Sequence, residues 1–410
     1  MNVLMHLRPN HQTVPGGDVV QLRETAAALE RIGVTVNVAS VMDADLASYD
    51  VVHLFNLCVP EFLGEPCFWA RWRQKPVALS TIYWDTKEFA DNVWRIRRGE
   101  IPQWGSANGT VSHEPPSSDS PYFRLRAARQ RLVVAWSDVY LPNSEVEAEK
   151  LLEDFGVERE KIQVVPNAAA GKFLDAKPNG FAARHGMRGD FVLCAGRIEP
   201  RKNQLALIRA LKPRRVPLAL VGAEQDAEYA RRCRQEAYPE VRFIGNVGQD
   251  ALAAAYAEAK VHALPSWLET PGLASLEAAL AGSNIVSTDR GCTREYFADL
   301  AWYCNPADLS SIQSAVLAAL HHPRSEKLRQ RVRERFTWEA AAAATLKAYE
   351  KALAGRQGGR LERSDELLSL WEYAKTLDEL RERAEARADA VESRRLVRYV
   401  DGIAKRLSRR

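Results

Sequence analysis

The sequence has no long hydrophobic run. Nowhere do about 18 uncharged apolar residues follow one another, which excludes a spanning helix. The opening Met1-Asn-Val-Leu-Met-His-Leu-Arg8 is too short for a signal h-region and leads into a Pro/Gly loop, so no secretory leader is expected. The Asn108-Gly-Thr110 sequon is then expected to stay unmodified. No Cys-x-x-Cys spacing occurs among the six cysteines (58, 67, 194, 233, 292 and 304), so isolated thiols in a reducing cytosol are expected rather than a disulfide framework. The eight histidines show no zinc-ligand spacing. Neither sign of charge dominates: a net +4 over 410 residues excludes a global nucleic-acid-binding field and leaves only local basic surfaces.

What is present suits two globular domains with a small appendage: 46% hydrophobic residues supply a sizeable core and 27% charged residues a solvated surface. Short apolar runs alternate with amphipathic helical patterns, the rhythm of βαβ units on parallel sheets. The first half predicts strands over 3–7, 34–39, 51–54, 77–82, 139–141 and 162–165. The second predicts them over 191–194, 217–221, 241–244, 261–264, 285–287 and 301–303. Each set makes one doubly wound sheet, with the join near Pro166–Lys177. Two segments break the rhythm. Residues 86–130 hold Trp94, Trp104 and the turn-rich Ser112-His-Glu-Pro-Pro-Ser-Ser-Asp-Ser-Pro121. Residues 356–410 are charged, with Leu396, Val400, Ile403 and Leu407 at helical spacing.

The strongest chemical signal is Glu269-Thr-Pro-Gly-Leu-Ala-Ser-Leu-Glu277, which follows a strand and opens a helix near Gly272. A helix N-terminus offers unpaired N–H groups and positive dipole charge to a phosphate, and Gly272 allows a ligand to approach the backbone. Glu269 and Glu277 bracket that anion site and can accept hydrogen bonds from sugar and ribose hydroxyls; a plain strand–Pro–Gly–helix junction is the alternative. The second signal is Gly196-Arg197-Ile-Glu-Pro-Arg201-Lys202-Asn203, after the first strand of the second domain. There Arg197 and Lys202 supply a fork and a point charge for a diphosphate, with Arg201 expected in solvent. A third is Pro15-Gly16-Gly17-Asp18 before the first helix, either a close-approach loop or a plain loop with Asp18 as N-cap.

As a set these motifs resemble the retaining GT4 family of glycosyltransferases, which have the GT-B fold. Glu269…Glu277 is similar to the family's E-x7-E motif, Gly196-Arg197…Lys202 to its diphosphate clamp and Gly16-Gly17 to its N-terminal glycine loop. Leu141-Pro-Asn-Ser144-Glu-Val-Glu-Ala-Glu149 and Val164-Val-Pro-Asn167 resemble its interdomain approach, and Phe336-Thr-Trp338 its closing helix. The likeness runs from residue 1 to about 355. It implies an N-terminal acceptor-side Rossmann-like domain over 1–168, a nucleotide-sugar-binding one over 175–335, a closing helix over 336–355 and, outside the likeness, a charged helical extension over 356–410.

Carried over, the resemblance implies that Arg197 and Lys202 neutralise the donor diphosphate, that Glu277 holds the ribose and that Glu269 faces the donor sugar. Pro271 would lie in the donor site beside the N–H groups near Gly272, Leu273 and Ala274, which would bind sugar or phosphate, and Phe243–Val247 would lie near the base. It also implies retention by a front-face or a double-displacement route. The chain departs from the pattern where many relatives carry His-Asp: here the stretch reads Ile82-Tyr83-Trp84-Asp85, and Gln21 stands where the first helix often has His. Asp85 is therefore the candidate polar group beside the reacting sugar, with Asp18, His53, Tyr83 and Trp84 as further acceptor-side candidates.

The scheme requires no metal and no cofactor beyond the nucleotide diphosphate sugar that is its substrate, UDP or GDP being left open. Asp43-Ala-Asp45 mimics a D-x-D metal motif but has no ligand partners nearby in sequence. Trp69-Ala-Arg-Trp-Arg-Gln-Lys75 and Trp94-Arg-Ile-Arg-Arg98 suit either a membrane interface with a lipid-linked acceptor or a solvated helix face with buried Trp. The tail 394–410 carries seven cations against Asp401 and suits self-docking, homo-oligomer packing or anionic lipid. The expectation is a cytoplasmic sugar transferase, peripheral at the inner membrane surface, acting on a glycan or lipid-linked acceptor in bacterial polysaccharide or glycolipid synthesis. A donor-binding, catalytically weak partner subunit is the alternative; an epimerase or phosphorylase on the same fold is disfavoured by the paired motifs.

Overall fold

The computed structural model describes residues 1–12, 16–40, 46–101 and 121–355. The Asp43–Asp45 turn, the sequon, Trp104, most of the 112–121 loop and the whole 356–410 extension lie outside them, as does the side chain of Trp94.

The first lobe runs β1 (Asn2–His6), α1 (Gly17–Arg31), β2 (Thr35–Ala39), β3 (Val51–Phe55), α2 (Gly64–Trp72), β4 (Val77–Ser80), α3 (Lys87–Arg98), α4 (Pro121–Trp136), β5 (Val139–Leu141) and α5 (Glu145–Phe155). The second opens with α6 (Phe181–Arg184) and runs β6 (Val192–Ala195), α7 (Gln204–Leu211), β7 (Leu218–Val221), α8 (Ala227–Glu236), β8 (Val241–Gly245), α9 (Gln249–Glu258), β9 (Val261–Leu264) and α10 (Leu273–Leu280). It closes with β10 (Asn284–Thr288), α11 (Thr293–Phe297), β11 (Trp302–Cys304), α12 (Leu309–His321), α13 (Glu326–Arg335) and α14 (Trp338–Gly355). All strand pairs are parallel, in the orders β2-β1-β3-β4-β5 and β11-β10-β9-β6-β7-β8. The inner strands β3, β6, β7, β9 and β10 are buried on both faces, as a parallel sheet covered by helices needs, whereas β2, at the edge of the first sheet, is largely exposed.

One predicted strand is corrected. The 162–165 stretch is an extended connection that meets the sheet through a single bridge, Tyr140 to Ile162. Its apolar residues point into clusters formed by other elements, so hydrophobicity there reports packing rather than ladder formation.

Two elements cross between the lobes. The closing helix α14 returns to the first lobe, where Trp338, Ala341, Ala342, Ala348 and Tyr349 pack in one core cluster with Val3, Met5, Leu22 and Val139. Helix α3 goes the other way: Ile96, and Ile101 just beyond its end, are buried in the core cluster of the second lobe with Leu207 and Ile208. Glu88 accepts two hydrogen bonds of 3.0 Å from Arg290, Arg97 pairs with Asp226 at 3.0 Å, and Arg209 donates to the Gly99 carbonyl at 2.5 Å. The surface ion pairs add little, but the two isoleucines bury whole side chains at roughly 1.5–3 kcal/mol each. The N-terminal residues of α5 are also met from across the cleft: Glu145 and Val146 donate their N–H groups to Glu295 at 3.0 and 3.2 Å, a carboxylate on a helix N-terminus.

Candidate active site

In the second sheet the connections run one way from β6 to β7 and β8 and the other way to β9, β10 and β11, so the order reverses between β6 and β9. Open parallel sheets form their ligand crevice outside the carboxyl ends of the strands at such a point. Both donor-side motifs leave the sheet there: Gly196-Arg197 follows β6, and Glu269 precedes α10 after β9.

Lys202 donates to Glu269 at 2.6 Å, and the two side chains are 14% and 5% exposed. Burial alone would raise the Glu269 carboxyl, yet Lys202, then Arg201, hold it below its ordinary value. Burial likewise draws the Lys202 ammonium down, with Glu269 opposing. The other Glu269 oxygen lies beneath Gly272, the N-cap of α10, where an added Cβ would stand 3.1 Å from it at φ +89°. Pro271, after a cis peptide, leads into that cap, and Leu273 and Ala274 form the half-buried first turn. The ammonium, the carboxylate and the open helix end therefore share one spot.

Arg197 and Arg201 converge on Glu199, at 3.2 and 3.1 Å. This corrects the expectation for Arg201. Its side chain is 28% exposed and its Nη1 points to the Leu268 carbonyl at 3.4 Å, because Glu199 and the buried Glu269 draw it inward. Three cations and two carboxylates thus crowd the crevice, leaving a net positive charge for an anion to meet.

Glu277, in the second turn of α10, accepts from the Tyr256 hydroxyl at 3.2 Å. Burial pushes its carboxyl up to about 7. The unfolded chain returns it to about 4.5, so the folded state holds the proton more tightly and loses stability as pH climbs from about 4.5 to about 7. Melting temperature measured across that window should fall for the native chain and fall less for Glu277→Gln.

The first lobe meets this site directly. A Cβ added to Gly17 would stand 3.5 Å from Leu273 Cδ1, so the glycine turn packs against the first turn of α10. Asp18 is not the cap: Gly16 holds that place, and an added Cβ there would reach Asp18 Oδ1 at 2.6 Å. The Asp18 carboxylate, 10% exposed, accepts from Arg8 Nε at 2.7 Å and from Asn56 at 3.0 Å.

Two acceptor-side candidates are corrected. His53 is wholly buried: Nδ1 meets the Tyr349 hydroxyl at 2.7 Å and Nε2 meets Ser80 Oγ at 2.9 Å, so it ties β3 to α14 inside the core. Tyr83 is buried, turns its ring onto Phe155 and donates its hydroxyl to Asp154 at 2.9 Å, so its polar end is engaged within the first lobe. Trp84 is half-buried; Asp85 is exposed and accepts from the Lys87 N–H at 2.8 Å. Phe243 lies under the Arg234 guanidinium, 4.5 Å from its centroid, and packs with the core cluster beside α7 and α8. In α2, Trp69 and Trp72 are half-buried and pack on Phe68, and Arg71 pairs with Asp138 at 2.8 Å, an arrangement that fits a helix face with packed tryptophans, the other of the two readings of this stretch. Gln21 bridges Asn143 and Asn167 at 3.0 and 3.1 Å, and the Tyr296 hydroxyl donates to the Asn143 carbonyl and accepts from the Asn167 N–H. These contacts form the polar joint between the lobes.

Sequence reading missed two residues here. Gly291 (φ +91°) pairs its backbone with Glu269 so closely that an added Cβ would come within 2.0 Å of the Glu269 carbonyl oxygen. His262, wholly buried on β9, lies under the crevice; it reads in sequence as one more strand residue. Among the described residues no group of three or more His, Cys, Asp or Glu could hold a metal ion, and no helix is long and apolar enough to cross a membrane.

Residues 8–168 match the family model described as glycosyl transferase 4-like domain, and residues 180–336 the model described as glycosyl transferases group 1. The glycogen synthase of Mycobacterium tuberculosis is 30% identical over 243 residues, 56% of this chain and 57% of that protein. The D-inositol 3-phosphate glycosyltransferase of Streptomyces bingchenggensis is 29% identical over 273 residues, 58% of each. The chain thus spans under two thirds of the length of the curated relatives it matches. Among solved structures, sucrose-phosphate synthase from Thermosynechococcus elongatus superposes with a TM-score of 0.67 at 16% identity, covering 87% of this chain and 100% of that one, which places the fold among the two-lobed GT-B structures.

Proposed function

We propose that this chain, which belongs to the GT4-type family of glycosyltransferases, moves a sugar from a nucleotide diphosphate to an acceptor hydroxyl with retention at the anomeric carbon. The observation that carries the reading is the Lys202–Glu269 pair at the open N-terminus of α10, with Arg197 and Arg201 beside it. In this scheme the donor diphosphate takes the place at the helix end, and Lys202 and Arg197 meet the negative charge that grows as the sugar–phosphate bond breaks. Such preorganised charge is worth most in a site closed to water. Glu269 orients the sugar hydroxyls, Glu277 the ribose, and the first-lobe turn Gly16-Gly17 closes over them. The charge of the leaving group is met by side chains and helix dipole, so no step is assigned to a metal.

The acceptor hydroxyl enters from the first lobe beside Asp85 and Trp84, and the leaving phosphate or a first-lobe carboxylate takes its proton. A glycan or lipid-linked acceptor on the cytoplasmic side of a bacterial membrane suits this reading, as do the polyhydroxylated molecules, glycogen and inositol phosphate, after which two of its relatives are named. A second reading, a donor-binding partner subunit with weak turnover, is favoured by one observation: the β4 end carries no histidine, and His53 is sealed in the core.

Incubation with a panel of nucleotide sugars tests both. Donor-dependent release of nucleotide diphosphate is expected for one donor. Tight binding with no turnover in the presence of cell-envelope acceptors would favour the partner subunit, and no binding of any donor would overturn both. Because ionised Glu277 accepts from ribose hydroxyls, affinity for that donor should rise as pH passes through about 7, and Glu277→Gln should flatten the rise.

A further inference from the structure

The sheet of the second lobe forks at one level. β6 and β9 are in register at Val192 with Val261 and at Leu193 with His262, while β6 stays paired with β7 as far as Ala195 with Val221. Above Leu193 the N–H of Ala195 has therefore lost its strand partner on the β9 side. A side chain takes that place: the Ala195 N–H donates to His262 Nε2 at 3.4 Å. The other ring nitrogen, Nδ1, meets Ser275 Oγ at 3.4 Å. Since Nε2 accepts, the ring proton sits on Nδ1 and is donated to Ser275.

Those two partners belong to the two halves of the donor crevice. Ala195 is the residue before Gly196-Arg197, and Ser275 is in the first turn of α10. Ser275 in turn donates its backbone N–H to the Gly272 carbonyl at 2.9 Å. Ser275 and His262 are both wholly buried, and the edge of the imidazole is set by Tyr256, whose ring lies 5.6 Å away at 80°. Lys202 and Glu269 lie near enough to act on the ring electrostatically, the ammonium holding its basicity down and the carboxylate raising it, with burial the larger effect.

We infer that His262 is a positioning residue for the donor diphosphate: a neutral imidazole that fixes the distance between the Gly196–Lys202 loop and the N-terminus of α10. This rests on the proposed donor site and adds to it the part that sets its width. A leucine or phenylalanine would fill the fork equally well, but would leave the Ala195 N–H buried without a partner and the Ser275 hydroxyl without its donor. Loop and helix could then shift independently, and a misplacement of about 1 Å at such a site is enough to cost on the order of 100-fold in rate.

Calorimetric titration with UDP, GDP and ADP, at a temperature well below each protein's melt, is the test. The native chain binds one of them, His262→Phe binds it at least tenfold more weakly, and His262→Gln, which can both accept and donate, recovers most of the loss. Equal affinity in His262→Phe and native protein would overturn the inference while leaving the donor site standing; failure of the native chain to bind any of the three would instead strike at the donor site. Nitrogen-15 spectra of the native histidine rings supply an arm that does not depend on any variant folding. A His262 ring protonated on Nδ1 and bare on Nε2 from pH 6 to 8 is expected. A ring protonated on Nε2 in that range would overturn the bridge outright.

Discussion

Lys202→Ala should remove nearly all turnover, by about 100- to 1,000-fold, the scale of losing one preorganised charge at a transition state. It should also lower stability. The ammonium is the partner of a carboxylate 5% exposed, and removing one member of a buried pair leaves an uncompensated charge at roughly 3–5 kcal/mol. Glu269 would then take up a proton at a higher pH than in the native chain, because burial, now unopposed by Lys202, raises its carboxyl. Glu269→Gln separates the two effects. It keeps the shape and an oxygen for Lys202 but leaves the ammonium without its counter-charge, and burial then draws that ammonium further down. Its melt should also fall, by less than that of Lys202→Ala because the ammonium keeps a hydrogen-bond acceptor and can shed its proton, while its turnover is still lost. Kinetics and thermal melts on both variants check this. A Lys202→Ala protein at full rate would remove the ammonium from the reaction.

Gly291→Ala should be nearly as severe, for a reason in the backbone. The residue sits at φ +91°, where an L side chain costs roughly 1–2 kcal/mol, and its methyl would meet the Glu269 carbonyl oxygen at 2.0 Å. The far partner is main chain, so it cannot swing aside. Either the bridge between Gly291 and Glu269 opens, and with it the hydrogen bond from the Cys292 N–H to the Glu269 carbonyl at 3.2 Å, or the loop before α10 moves. Both displace the carboxylate from Lys202. We expect a marked drop in melting temperature together with a loss of donor turnover of about 100-fold or more. A fully active, native-like Gly291→Ala would show that the loop is free to adjust and that Glu269 is not held by it.

Much of this was legible in the residues. Runs such as Val139–Leu141 and Val261–Leu264 form strands over the bounds their short apolar character marks, since a strand buried on both faces has no solvent side to obscure it. The Glu269–Glu277 stretch opens its helix at Gly272 as the Pro-Gly junction indicates. The rest depended on partners distant in sequence. Residues 86–130 read as a break in the rhythm, and nothing local in them says that Ile96 and Ile101 are buried in the core of the second lobe. Arg201 reads as a solvated loop charge until Glu199 and Glu269 are placed around it. His53 and Tyr83 have the right chemistry for a cleft, and only the fold shows Tyr349 and Asp154 taking them. His262 and Gly291 carry no local signal, since each matters through a residue at least 13 positions away.

The most direct measurement is a crystal structure of the full chain with the nucleotide diphosphate it binds. Both phosphates seated between Lys202 Nζ and the N–H groups of the first turn of α10, with Arg197 swung from Glu199 toward them, is the expected result. Phosphates bound elsewhere, with the Lys202–Glu269 pair and the helix end untouched, would contradict it.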